Sequence, residues 1–446
     1  MEAVTVRGAL PADVRVGLVL PHEYLVFDLA GRYSPSSSLR MQSLRDAPIT
    51  LERLAEFRAH PLRSLVNLRS PPLEVLAREI KDCAAELADS REGLLIVDAA
   101  ATAEEGRDPE ALLALSERTG VHIVMSTGLR AQQAAATPTA EDAEAEDELL
   151  TQLADLLVAE LRVGVEVRRG VRVCAGVLSL GIPLCPPISL VHTRLFRALA
   201  RAQTRTGAPI VCAAPAARAA SPGDAPEAVL EALRAFVTYG AVPGQIIVTH
   251  AQHLLSEHGD AGALRVLLRE GFNLTVDGIG NSWSIIGAQS CEDELALPIS
   301  EEIVARSLAT LVDEGFGGQI MLSHCVSSQL QLRSAGGGGY AHLQRFFFPR
   351  LRRLGIGDAA ILQMTQSNAM RLLQWKRPAG PPSRLMKAWS CDACHRTFEE
   401  TVNPSDVQPG DRMYYEKFSF RYCSTVCLGN HRKAAFVQPF HCQAPE

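Results

Sequence analysis

VGLVLPHEY, residues 16–24, is a short apolar run that stops on a histidine. Val16–Leu20 does not alternate apolar with polar side chains. Both faces of such a run are expected to be buried, as in a central strand of a parallel sheet. A histidine just past a buried strand is well placed to hold a metal. In extended chain the residue two places on points the same way, and here it is Tyr24. One ligand type therefore stands where a pair would be expected.

The same pattern recurs along the chain. After Val16–Leu20 come Leu94–Asp98, Val121–Met125, Val173–Leu180, Pro209–Ala213, Gln245–Thr249, Asn273–Asp277 and Gln319–Ser323. Amphipathic stretches such as Pro109–Thr119, Leu195–Thr206 and Ala225–Tyr239 lie between them. Eight buried strands alternating with helices predict an α/β fold, a (β/α)8 TIM barrel.

The chain has 446 residues, more than one compact domain usually holds. Hydrophobic residues make up 47% and charged residues 21%, enough for a sizeable core. A net charge of −6 gives no basic field for nucleic acid, which is not the expected partner. No apolar run reaches membrane-spanning length, and the first residues lack a basic start followed by an apolar core. The 11 cysteines fall into two sets. Six are scattered singly through the predicted barrel, as reduced thiols would be. Five crowd into the last 56 residues, which asks for a metal. The expected location is cytoplasmic, with the nucleus also open, and not secreted.

These shifts in composition divide the chain. The barrel is expected over 1–375, with a low-complexity acidic insertion at 131–148 read as a solvated loop. A Pro-rich linker follows at 376–387, a zinc-binding module at 388–436 and a tail at 437–446.

In a (β/α)8 barrel the chemistry sits at the C-terminal ends of the strands. Those ends carry His22, Asp98, Ser126, Ser179 or Leu180, Ala213, His250, Asp277 and the pair His324-Cys325. The order and spacing of several motifs here resemble the phosphotriesterase-related branch of the amidohydrolase superfamily. They are Leu20-Pro-His-Glu-Tyr24, Ile96-Val-Asp98, Gly106-Arg-Asp-Pro109, Thr119-Gly-Val-His-Ile-Val124, Ser126-Thr-Gly128 and Gly207-Ala-Pro-Ile210. Ile247-Val-Thr-His250, Leu322-Ser-His324, Gly338-Gly-Tyr-Ala-His342 and Asn368 complete the set.

The resemblance implies a binuclear metal centre, and implies where its ligands would fall. Of the two histidines that end the first strand, His22 matches one and Tyr24 replaces the other. The bridging carboxylate of the fourth strand falls on Ser179 or Leu180. The histidine of the fifth falls on Ala213, and that of the sixth is His250. The aspartate of the eighth, which binds metal and acts as base, falls on Cys325. Two imidazoles alone do not hold a catalytic zinc, and none of these positions carries a carboxylate to activate water.

The tail offers a stronger metal pattern. Cys391 and Cys394 are spaced as a tight knuckle, and after 28 intervening residues Cys423 and Cys427 fit the first turn of a helix. Four thiolates at this spacing predict one structural zinc. A helix over Cys427–Phe436 would set His431, Arg432 and Lys433 against the site's net negative charge. The pattern resembles treble-clef fingers of the HIT and MYND kind, which implies a protein-binding module.

The leading expectation is therefore a non-catalytic binding or scaffold protein. Its barrel cleft would receive a small-molecule ligand, and its zinc module would meet a protein partner. The alternative is a zinc-dependent hydrolase of ester or amide bonds, rebuilt as a mononuclear site on His22, His250 and Cys325. The family's habit of pairing barrels leaves a homodimer open.

Overall fold

The computed structural model describes residues 3–375 except 88–90, 136–142, 182–183, 185–187, 216–224, 257 and 281–298. Of the C-terminal part it describes 385–391, 393, 397–402, 415–417, 420–422 and 425–433. The chain divides into two compact units, Met1–Arg377 and Pro378–Glu446.

The first unit is built on eight strands: β1 (Val16–Glu23), β2 (Gly93–Asp98), β3 (His122–Gly128), β4 (Ala175–Ser179), β5 (Ile210–Ala213), β6 (Ile246–Thr249), β7 (Asn273–Val276) and β8 (Ile320–Leu322). They form one sheet in chain order, and every neighbouring pair is parallel. Each run read from the sequence is one of these strands. The C-terminal ends of β1 and β3 each move by three residues, and β1 runs on to Glu23 across a register shift between Leu20 and Glu23. That irregularity brings His22 to the barrel's end.

β1 and β8 meet without a backbone ladder among the described residues. Ser323 joins them instead. Its Oγ accepts from the His22 N–H at 3.1 Å and lies 3.0 Å from the His22 carbonyl. Beyond it the Tyr24 N–H reaches the Val326 carbonyl at 3.1 Å.

One buried layer of β-branched and apolar side chains fills the interior: Val19, Val97, Val124, Val177, Val211, Ile247 and Met321. Ala3, Leu10 and Leu372 belong to the same cluster and plug the N-terminal end. A filled lower barrel leaves the C-terminal mouth as the place for chemistry.

Helices separate the strands: α1 (Leu73–Ala84), α2 (Pro109–Thr119), α3 (Ala143–Arg162), α4 (Leu190–Thr206), α5 (Ala225–Thr238), α6 (Gly262–Arg269) and α7 (Glu301–Asp313). α2 starts where Asp108 accepts from the Ala111 N–H at 3.0 Å with Pro109 in the first turn, and it stops at Gly120, φ 75°.

The acidic insertion departs from expectation. Residues 143–148 are not loop but the start of α3, and residues 131–135 are also helical. Ala and Glu are strong helix formers, and acidic groups suit a helix N-terminus. Glu146 pairs with the buried Arg194 of α4 at 2.7 Å, and Asp147 pairs with Arg201. Low complexity concealed an ordinary packed helix.

In the second unit β9 (Leu385–Ser390) pairs antiparallel with β10 (Thr397–Val402), and β11 (Tyr415–Lys417) with β12 (Phe420–Tyr422). Helix α8 covers Thr425–Lys433. Residues 385–387, expected as linker, are therefore strand. The helix begins two residues earlier than read from the sequence, at Thr425.

Candidate metal centre at the barrel mouth

His22, at the end of β1, and His250, just past β6, meet edge-on with ring centroids 5.1 Å apart. Cys325, three residues past β8, completes the group. One ligand atom from each of the three lies within 4.8 Å of the others, and all three residues are buried. Among the described residues this is the one cluster of three or more metal-ligating side chains.

His250 and Cys325 share a second property. They are the two non-glycine residues with positive φ among those described, at 55° and 54°. Side chains other than glycine enter this region at a cost, and such strain gathers at functional sites. Here it turns two chain ends inward at neighbouring points of the mouth.

Asp277, one residue past β7, organises the group. Its Oδ1 accepts from His250 Nδ1 at 2.6 Å and from Gln252 Nε2 at 3.0 Å. Its Oδ2 accepts from the His250 N–H at 3.0 Å and lies 2.8 Å from His22 Nδ1, out of line for a hydrogen bond. Burial alone would raise the pKa of this carboxyl. His250 and His22 outweigh burial and hold it well below the usual carboxylate range. An ionised carboxylate can only accept, so Nδ1 of His250 carries a proton. His250 Nε2 is left buried without a hydrogen bond, and so is His22 Nδ1. Two imidazole nitrogens shut from water beside a thiol suit a soft divalent ion such as zinc.

Asp277 stands outside the ligand positions that the resemblance implies, so its place beside the cluster went unread. It was visible as a strand end, before Gly278 at the catalytic face. It drew no role because the resemblance places the metal aspartate on the eighth strand, not the seventh. His253 was also missed. Its ring stacks on His250 at 5.3 Å, and its Nδ1 is buried without a partner. Burial and the neighbouring His250 push its pKa down to about 4, so it is neutral.

The other residues singled out in the sequence do different work. His324 faces away from the cluster. Its Nδ1 contacts Glu23 Oε1 at 2.9 Å, and its Nε2 accepts from the Leu343 N–H at 3.0 Å. Both nitrogens are used, which makes it a structural histidine. The buried Glu23 also accepts from Ser323 Oγ and from the N–H groups of His324 and Val326, each at 2.8 Å. Tyr24 packs edge-on against His22 at 5.8 Å, in an apolar cluster with Phe27, Leu68 and Cys325. Burial, Glu105 and Cys325 raise its pKa well above the ordinary phenol value, so its hydroxyl stays protonated. Asp98 is buried and accepts from the Leu25 N–H at 2.7 Å. Burial raises its pKa to about 7. Ser179 and Leu180 are buried at the end of β4, and Ala213 ends β5. None of these three bears a group that could bridge two cations.

Of the four cysteines expected to hold zinc in the tail, Cys391 directly follows β9 and Cys427 lies in the first turn of α8, both buried. Cys394 and Cys423 lie outside the described residues. His431 is buried on α8, with Nδ1 3.1 Å from Tyr422 Oη.

An eight-stranded parallel barrel, sealed below and carrying imidazoles at its C-terminal mouth, has the architecture of the amidohydrolase-type barrels. Residues 1–373 match the phosphotriesterase family, and the chain belongs to it. Residues 386–439 match the Vms1-associating treble clef domain, a more particular kinship than the HIT and MYND resemblance. The N-acetyltaurine hydrolase of Tetraodon nigroviridis is 26% identical over 374 residues, 83% of this chain and 97% of that protein. A phosphotriesterase-related protein of Nematostella vectensis is 26% identical over 380 residues, 84% and 99% of the two chains. The solved structure of a resiniferatoxin-binding protein from Rhodobacter sphaeroides superposes with a TM-score of 0.68 at 28% identity, covering 84% of this chain and 96% of that one. No described helix is long and apolar enough to cross a membrane.

Proposed function

We propose that this chain is a binding member of the phosphotriesterase family that no longer runs two-metal hydrolysis. Its barrel holds at most one ion, on His22, His250 and Cys325, and its treble clef docks a protein partner. One observation carries this reading. The ligand places of a binuclear centre are filled by Tyr24, Ser179 or Leu180, Ala213 and Cys325, while the remaining imidazoles close into a single cluster with Cys325. The carboxylate beside that cluster makes four contacts of 2.6–3.0 Å. Three of them are hydrogen bonds that tie both oxygens to His250 and Gln252, which disfavours a role in taking a proton from water. The cleft is read as receiving a small molecule, in keeping with the family likeness to a resiniferatoxin-binding protein. The treble clef is read as holding one structural zinc on Cys391, Cys394, Cys423 and Cys427. Its match to a Vms1-associating domain favours a protein partner.

The test is turnover of N-acyl amines, lactones and phosphotriesters by zinc-loaded full-length protein. We expect no rate above background. A rate that is abolished by His250→Ala overturns the proposal.

The donor set favours a second reading, a mononuclear zinc hydrolase of amide or ester bonds. Three protein ligands leave the fourth zinc position open. A zinc bound there would polarise a carbonyl or lower the pKa of a water. The likeness to N-acetyltaurine hydrolases points to an acylated amine as substrate. The same turnover assay separates the two readings.

A further inference from the structure

We propose that Asp277 is the positioning residue of the barrel mouth, fixing His250 so that it can hold one divalent ion of the zinc class together with His22 and Cys325. The inference rests on the single-ion site proposed above.

Asp277 grips His250 twice, through the side chain at 2.6 Å and the backbone N–H at 3.0 Å. A double grip requires the backbone N–H and the ring of one residue to face the same carboxylate. The left-handed φ of 55° at His250 accompanies that arrangement, and the two hydrogen bonds offset its strain. Asp277 is itself clamped. Gln252 Nε2 donates to Oδ1, and Gln252 Oε1 accepts from the Asp277 N–H, each at 3.0 Å. The His250 N–H takes Oδ2, while the His250 ring and Gln252 take Oδ1, so both carboxylate oxygens carry hydrogen bonds. Asp277 therefore acts on the ion through His250. An imidazole has two nitrogens, and engaging Nδ1 of His250 assigns Nε2 to the ion. That Nε2 is buried and has no hydrogen bond. A carboxylate behind a ligating histidine fixes ring orientation and tautomer, and its loss typically costs about 10–100-fold in metal affinity.

The test is cobalt(II) titration of metal-stripped full-length protein, read by visible absorption and by equivalents bound. One equivalent belongs to the tail cysteines. The mouth is read by a second equivalent that His250→Ala removes. We expect Asp277→Asn to weaken that second equivalent about 10–100-fold and to shift its ligand-field bands, leaving the tail equivalent unchanged. Asp277→Glu should recover part of the affinity. A second equivalent in Asp277→Asn with unaltered affinity and bands overturns the positioning role and leaves the single-ion site standing. No second equivalent in the unaltered protein overturns that site, and the positioning role with it. Should Asp277→Asn fail to fold by circular dichroism, Gln252→Ala takes its place. It loosens the clamp without touching a ligand, and unchanged cobalt binding by the folded variant overturns the proposal.

Discussion

At position 323 a hydroxyl stands where a ladder of peptide groups stands elsewhere in the barrel. Ser323→Ala leaves the His22 N–H without its acceptor in a buried seam and removes one of the three donors to Glu23 Oε1. We expect a loss of about 2–3 kcal/mol, read as a lower denaturation midpoint at unchanged slope. Asp98 gives a prediction in pH. Its folded pKa, about 7, lies above that of an unfolded aspartate. The folded state therefore binds the extra proton, and this contribution is fully present below about pH 4 and lost as pH rises to 7. Asp98→Asn should flatten that window, so that the wild type loses up to about 4 kcal/mol relative to the variant between pH 4 and 7. Urea titrations at four pH values check it, and parallel profiles would contradict it. Single residues were the hardest to read in the sequence. His22 and His250 could be placed because they end apolar runs. The roles of Asp277, Glu23 and His253 depend on which strand ends become neighbours, and no local pattern carries that.

At the scale of elements, α3 shows how composition misleads. Glu146 and Asp147 sit in what reads as a polar, repetitive stretch, yet they tie α3 to α4. The Arg194 side chain is 4% exposed and that of Glu146 21%, so this pair is largely withdrawn from water. Glu146→Ala should cost about 2 kcal/mol, mostly by leaving a guanidinium in low dielectric, whereas exposed Glu110→Ala should cost under about 0.5. Equilibrium unfolding of both variants checks the contrast. The strands were legible because burial on both faces writes an unbroken apolar run. Their ends moved by up to three residues, in β1 and in β3, and the shift in β1 comes with the irregularity that carries His22.

Across the whole molecule, two compact units with unlike sources of stability should unfold separately. The barrel rests on a large apolar core. A treble clef of this size relies on its metal for much of its folding free energy. Calorimetry should show two transitions, and a chelator should abolish the smaller. A single transition moved as a whole by chelation would contradict this. The cysteine spacing made the tail legible, whereas nothing along the chain announced how the barrel is closed. The closure has a dynamic meaning. Seven of its joints are peptide ladders, and the eighth hangs largely on one hydroxyl and its neighbours. His22 stands on one side of that joint and Cys325 on the other. Brief breathing there would part the two like jaws, so the amides of His22 and Tyr24 should exchange with deuterium well before those of β5. A centre sealed from water would then trade its contents with the surroundings through its own hinge, with no need for the barrel to come apart.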